Sequence, residues 1–187
     1  MYSIYIDYLK SVLNEHRFEH SLNVAKECLE LAKLYNYDEN KAYLCGLLHD
    51  ICKNDSKENM LQIFDRFDII LDNVQQEVHL LWHSIAGSLF VGEKFGIDDA
   101  DIINAIKYHT TGRENMTKLD KIVYLADVIS VDRSFEGVER LREVSRVDLD
   151  LAVIECLKSS IKNLSEKNKP IHIDTIKAYN FLVAERK

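Results

Sequence analysis

Apolar residues recur along this chain at three- and four-residue spacing and rarely alternate over any distance, which is the pattern of helices. Ile4, Ile6, Leu9, Val12 and Leu13 predict a short amphipathic helix near the N-terminus. From Arg17 onward Leu22, Val24, Ala25, Leu29, Leu31, Ala32 and Leu34 predict a longer one, and His20 shares a stripe with Val24, Cys28 and Leu31. Asp38 is placed to cap a helix through Ala42, Leu44, Cys45, Gly46, Leu47 and Leu48 that turns abruptly polar at His49-Asp50. Ser56 is placed to cap a more polar helix carrying Met60, Ile63, Phe64 and Phe67, while residues 72–78 fit neither template. His83 opens a helix with Ala86, Leu89, Phe90 and Phe95, stopped by Gly96. Asp98 is read as the start of the next, in which Ile102, Ile106 and His109 share a face and which Thr110-Thr111-Gly112-Arg113 ends. Leu119, Ile122, Val123, Leu125, Ala126, Val128 and Ile129 predict a strongly apolar helix with Asp127 inside it. A shorter helix after Gly137, a long one from Asp148 to about Leu164 and a last one capped by Asp174 and running through Val183 complete the chain. No stretch reads convincingly as a strand, so the expected fold class is all-α.

Composition narrows this picture. The chain has 187 residues, which fits a single domain, 1–187, able to bury a good core. One proline, Pro170, and six glycines leave little punctuation for β-turns and favour long helices. With 47% hydrophobic and 29% charged residues the chain has an ordinary soluble composition. No basic region followed by an apolar run opens it, and no apolar stretch approaches a membrane span, so a cytoplasmic protein is expected. The cysteines Cys28, Cys45, Cys52 and Cys156 show no CxxC spacing and read as buried, reduced thiols. A formal net charge of −7 argues against a nucleic-acid backbone as partner. It leaves room for a small phosphorylated ligand, because metal ions with a few Lys and Arg can reverse the field locally.

Candidate chemistry enters through the polar residues that helical periodicity turns inward: His20, His49, Asp50, His83, His109 and Asp127. A histidine and a carboxylate at the inner end of a buried helix are costly to desolvate, and a metal ion is one way to compensate them. Singly, each has a plainer reading: a lone histidine on an apolar face is more often a satisfied core residue, and Asp127 could pair with an arginine. Jointly they form a nitrogen and oxygen donor set without thiolate, which suits iron, manganese, cobalt or zinc in a catalytic role. Six side chains are too many for one catalytic metal with an open position and suit two metals sharing a carboxylate. His16 and His79 each lie one helical turn before a candidate, so the residues alone leave His16 against His20 and His79 against His83 open.

This arrangement resembles the HD-domain phosphohydrolase superfamily. More closely, Arg17-Phe18-Glu19-His20-Ser21, Gly46-Leu47-Leu48-His49-Asp50-Ile51-Cys52-Lys53 and Tyr108-His109-Thr110-Thr111-Gly112-Arg113 resemble the YqeK-type symmetrical bis(5'-nucleosyl)-tetraphosphatases. So do Tyr124-Leu125-Ala126-Asp127, the run from Phe135 to Arg142, and Ile171-His172-Ile173-Asp174-Thr175 with Ala178-Tyr179-Asn180. The resemblance implies an HD-domain helical bundle holding two divalent metals, iron first, that cleaves diadenosine tetraphosphate into two ADP through a metal-activated hydroxide. It implies His20, His49, Asp50 and Asp127 on one metal and His83 and His109 on the other, with Asp50 bridging. Arg17 and Ser21 favour His20 over His16, and Ala86-Gly87 favours His83 over His79. The chain departs from the family at His83-Ser84, where His-Gly is usual, and at Ser130-Val131, where Glu-Pro is usual. Lys53 would join Asp50 in catalysis, and Lys53, Thr110, Thr111, Arg113 and Arg133 would contact phosphate. Other HD-domain activities, a deoxynucleotidase or a guanosine-pentaphosphate hydrolase, and a nucleotide-sensing module without turnover are the competing expectations. The expected partner is a small dinucleoside polyphosphate or nucleotide, and homodimerisation is left open.

Overall fold

Most helices in this protein start at a side chain that takes over a free backbone N–H. Asn14 accepts from Arg17 N, Asp38 from Lys41 N, Ser56 from Asn59 N, Thr117 from Asp120 N and Asp148 from Leu151 N. The computed structural model describes residues 2–186. Among them lie eleven α-helices and no strand: α1 (Ser3–Val12), α2 (Glu15–Leu34), α3 (Glu39–Leu48), α4 (Lys57–Arg66), α5 (Asn73–Glu77), α6 (Trp82–Phe95), α7 (Ala100–Tyr108), α8 (Lys118–Ile129), α9 (Val138–Ser145), α10 (Leu149–Glu166) and α11 (Ile173–Glu185). A short 3-10 turn, His79–Leu81, leads into α6. The all-α expectation holds.

Three details differ from the sequence reading. The helix before α8 is capped by Asp99, whose Oδ1 accepts from Asp101 N at 2.9 Å, and not by Asp98; adjacent aspartates are equally competent caps, and sequence does not rank them. The last helix is capped by His172, not Asp174. His172 Nε2 pairs with Asp72 Oδ2 at 2.7 Å, which turns its Nδ1 lone pair onto Asp174 N at 3.2 Å. The ambiguous stretch after Leu71 is a single helical turn, α5, held by a reciprocal capping box between Asp72 and Gln75.

Helix α8 is the spine. Leu119, Ile122, Val123, Leu125 and Ala126 are all fully buried, and α2, α3, α7, α9 and α10 pack around it. Helices α2 and α3 pack tightly at Gly46, where a Cβ would stand 2.7 Å from Cys28 Sγ and 3.0 Å from Ala25 Cα and from Val24 O. After α7 the chain turns through Gly112 in the left-handed region, φ +68°, a conformation a side chain would strain. The four cysteines are free and buried, and burial raises each thiol, Cys156 to about 12, so they serve as packing groups. No described helix is long and apolar enough to cross a membrane.

Gly46→Ala gives a direct test of the α2–α3 contact. Alanine improves helix propensity by about 1 kcal/mol, but overpacking against a helix backbone costs about 1–3 kcal/mol. The expected outcome is a lower denaturation midpoint, by urea titration followed by circular dichroism. An unchanged or higher midpoint would mean that the two helices have room to part.

Candidate metal centre

Two helices end at the same point in the core and each presents a histidine there. After α3, His49 donates its Nδ1–H to Gly46 O at 2.7 Å; after α7, His109 donates its Nδ1–H to Ile106 O at 2.7 Å. The same three-residue back-bond fixes both tautomers and leaves both Nε2 atoms as bare lone pairs. His20, on the buried face of α2, places Nδ1 2.7 Å from Asp132 Oδ2 and Nε2 2.9 Å from Asp127 Oδ1. His83, in the first turn of α6, sets Nε2 3.0 Å from Asp50 Oδ1. The last turn of α8 carries Asp127.

The six side chains thus converge. Asp50 Oδ1 lies 3.4 Å from His109 Nε2, and Asp50 Oδ2 lies 3.7 Å from His49 Nε2. Three overlapping groups, His20/His49/Asp50, His49/His109/Asp127 and Asp50/His83/His109, each have all donor atoms within 4.8 Å of one another. Asp50 belongs to two of them, and it is only 1% exposed. His16 is exposed, and the His79 ring packs edge-on against Trp82, with ring centroids 4.5 Å apart, outside all three groups.

Electrostatics shows what this cluster lacks. His83 Nε2 and His109 Nε2 face each other at 3.2 Å, and the fully buried His49 Nε2 has no hydrogen-bond partner. Burial lowers His49 and His83 to about 4, so both are neutral at pH 7. Burial alone would raise Asp50, but the imidazoles of His49, His109 and His83 outweigh it and hold the carboxyl well below its ordinary range. For Asp127 burial is again outweighed, here by His20, His49 and Arg133, and its pKa falls. Converging lone pairs and two carboxylates call for positive charge, and two side chains supply it. Lys53 Nζ sits 2.9 Å from His83 Nε2 and 3.3 Å from Asp50 Oδ1. The Arg133 guanidinium bonds Asp127 Oδ1, donates Nε–H to Asp127 O at 2.8 Å and lies 3.2 Å from His20 Nε2. A donor set that already gathers cationic groups at its nitrogen and oxygen atoms fits divalent metal ions.

The expected phosphate contacts fare unequally. Lys53 lies beside the cluster and, with His83, lines a cleft of about 990 Å³ that Arg17, Lys57 and Lys169 also line. Arg113 does not reach it: its guanidinium pairs with buried Asp120 at 2.6 Å and stacks over the Tyr108 ring. Thr111 is buried and donates to Gly112 O at 2.9 Å, and Thr110 Oγ1 lies 3.4 Å from Ser84 Oγ beside a separate small recess. Arg113 and Thr111 therefore brace the turn that aims His109 and are not placed as phosphate clamps. Two residues escaped the sequence reading. Asp132 orients His20, and a buried ligand-type histidine needing an acceptor for its second nitrogen was the available signal. Arg17, used only to set a register, brings NH1 3.5 Å from Asp50 Oδ2.

Residues 17–132 match the HD domain family. The chain belongs to that family. The HD segment opens at Arg17 and closes at Asp132, enclosing all six converging side chains. Relatives named "Bis(5'-nucleosyl)-tetraphosphatase, symmetrical" include one from Halalkalibacterium halodurans, 39% identical across 96% of this chain and 95% of that protein. Another, from Bacillus subtilis, is 38% identical across 94% of each. The crystal structure of a "predicted HD superfamily hydrolase involved in NAD metabolism" from Clostridium acetobutylicum superposes with a TM-score of 0.95 at 38% identity, covering 100% of this chain and 98% of that one.

Two outcomes are expected. Asp132→Ala keeps every converging donor but frees the His20 ring, so affinity for a divalent metal should fall roughly 10–100-fold in chelator competition. Equal affinity would show that His20 needs no carboxylate to orient it. In the metal-free protein, His49 and His83 are depressed in the folded state, so their contribution is present above about 6.5, the unfolded value, and is lost as pH falls toward about 4. His20 is raised, with Asp127 and Asp132 outweighing burial, and contributes with the opposite sign. The two depressed histidines outnumber it in this window, so the thermal midpoint should be lower at pH 5 than at pH 7. A higher midpoint at pH 5 contradicts this assignment.

Proposed function

We propose that this chain hydrolyses diadenosine tetraphosphate symmetrically into two ADP, using two divalent metal ions, iron in first place with manganese, cobalt or zinc as alternatives. The observation that carries the reading is the set of converging lone pairs, one of whose members, His83, lines a cleft together with Arg17, Lys53, Lys57 and Lys169, in a chain whose formal net charge is −7. The names of the relatives from Halalkalibacterium halodurans and Bacillus subtilis support the substrate. His20, His49, Asp50 and Asp127 would hold one ion, and His83 and His109 the other, with Asp50 shared. Bound there, such ions make water more acidic and offset phosphate charge near neutral pH.

The protein's own groups do the rest. The back-bonds to Gly46 O and Ile106 O keep His49 and His109 in the one tautomer that can donate a lone pair. Lys53 and Arg17 offer a point charge and a planar fork to phosphate oxygens at the mouth of the cluster. Attack of water on an inner phosphorus, in line with the bridging oxygen beyond it, breaks that bridge and releases ADP, a leaving group that needs little protonation. The reaction is proposed for the cytoplasm, where buried reduced cysteines are at home.

Chromatography of products after incubation with metal tests the reading: ADP should be the only nucleotide formed. AMP with ATP would mean asymmetric attack, and preferred turnover of a deoxynucleotide or a guanosine polyphosphate would move the chain to another activity. Metal analysis of anaerobically purified protein should find two ions per chain and almost none in Asp50→Ala. Arg17→Ala should lose a charge-assisted contact worth roughly 1.5–3 kcal/mol, about 10–150-fold in kcat/KM, with metal content unchanged. If kcat/KM is unaffected, Arg17 does not touch phosphate.

A further inference from the structure

Past the HD segment, one guanidinium in the run from Phe135 to Arg142 binds three backbone carbonyls of another part of the chain. From α9, Arg142 donates Nε–H to Ile129 O at 2.9 Å, and its NH2 donates to Ser130 O at 2.8 Å and Arg133 O at 2.9 Å. Ile129 is the last residue of α8 and Ser130 its C-cap, so two of these acceptors have no partner inside the helix. The third lies across a tight turn, closed by Arg133 N donating to Ser130 O at 2.9 Å. A cation at a helix C-terminus is favourable by itself and needs a single contact for that. A planar fork spread over residues 129, 130 and 133 does more, because it fixes the path of the chain between them.

Asp132 stands on that path, and its Oδ2 reaches His20 Nδ1 on α2 at 2.7 Å. The other nitrogen of the same ring, Nε2, lies 2.9 Å from Asp127 Oδ1. Arg133 has a tie of its own to α8, since its Nε–H donates to Asp127 O at 2.8 Å. The Asp132–His20 bond instead spans two elements, so it depends on where the turn is held. Resting on the metal centre proposed above, we propose that Arg142 is a positioning residue for that centre. By holding three carbonyls it sets Asp132 against His20 and so fixes the direction in which the ring offers Nε2. Helix α9 thereby acts on the metal site without supplying a donor to it.

Lysine at position 142 keeps a positive charge at the end of α8 but loses the fork. The test is zinc affinity, measured by competition with a chelator, with the urea midpoint recorded beside it. Arg142→Lys should weaken zinc at least about threefold, and no more than the roughly 10–100-fold expected of Asp132→Ala. In an Asp132→Ala background the same change should alter zinc affinity by less than about twofold, because the group it works through is gone. A brace for the fold alone would lower the urea midpoint in both backgrounds and leave zinc affinity where it was. That result overturns the proposal, and so do additive losses in the double variant. The unaltered protein gives a second reading that requires no variant to fold. Coupling is reciprocal, so bound zinc should slow solvent exchange of the Arg142 Nε–H, followed by NMR. Exchange that is unchanged or faster overturns the proposal too. If the unaltered protein binds no metal, the metal centre fails and the role of Arg142 with it. If it binds two ions and Arg142→Lys binds them as tightly, the role of Arg142 alone is lost.

Discussion

A carboxylate buried among apolar helices must be answered by positive charge or by hydrogen bonds, since leaving an ion unpaired in the interior costs several kcal/mol. Asp50 is that carboxylate. Its oxygens face His83, His109, His49, Lys53 and Arg17 at 3.0–3.7 Å, and those residues come from α2, α6 and the ends of α3 and α7. The packing that brings these elements together therefore also creates the electrostatic demand. Gly46 ties the two levels: its missing side chain lets α3 reach α2, and its carbonyl holds His49.

Division of labour follows the order of the chain. The HD segment, residues 17–132, supplies every converging donor and the aspartate behind His20. The helices after it brace and wall the site. From α9, Arg142 donates to Ile129 O, Ser130 O and Arg133 O at 2.8–2.9 Å and so pins the turn that presents Asp132 and Arg133. From α10 and the following loop come Leu164, Lys169 and Pro170, which line the cleft.

Legibility in the sequence tracked periodicity. His20, His83, His109 and Asp127 lie on or directly after helices whose apolar stripes face the core, so three- and four-residue spacing pointed them inward, while the choice of His20 over His16 and of His83 over His79 came from the family resemblance. His49-Asp50 stood out because an apolar run ends there. Asp132 lies past the end of α8, where no stripe exists to say which way a side chain turns. The partner that Arg113 takes was hidden for another reason. A motif names the residue type, but a long side chain chooses among partners in space, and buried Asp120 offers one at 2.6 Å. Asp98 and Asp99 could not be ranked, and His172 as a cap depends on Asp72, a hundred residues away in sequence. The identity of the metal is set by electronic preferences that the donor list narrows but does not fix.

The convergence of helix ends has one more effect. Helices α3 and α7 both terminate at the cluster, and Asp127 belongs to the last turn of α8. Each helix carries roughly half a negative charge at its C-terminus. Those partial charges add to the two carboxylates and act against the positive charge of Lys53, Arg17 and Arg133. A cation at the converging nitrogen and oxygen atoms therefore gains from the helix ends as well as from the carboxylates.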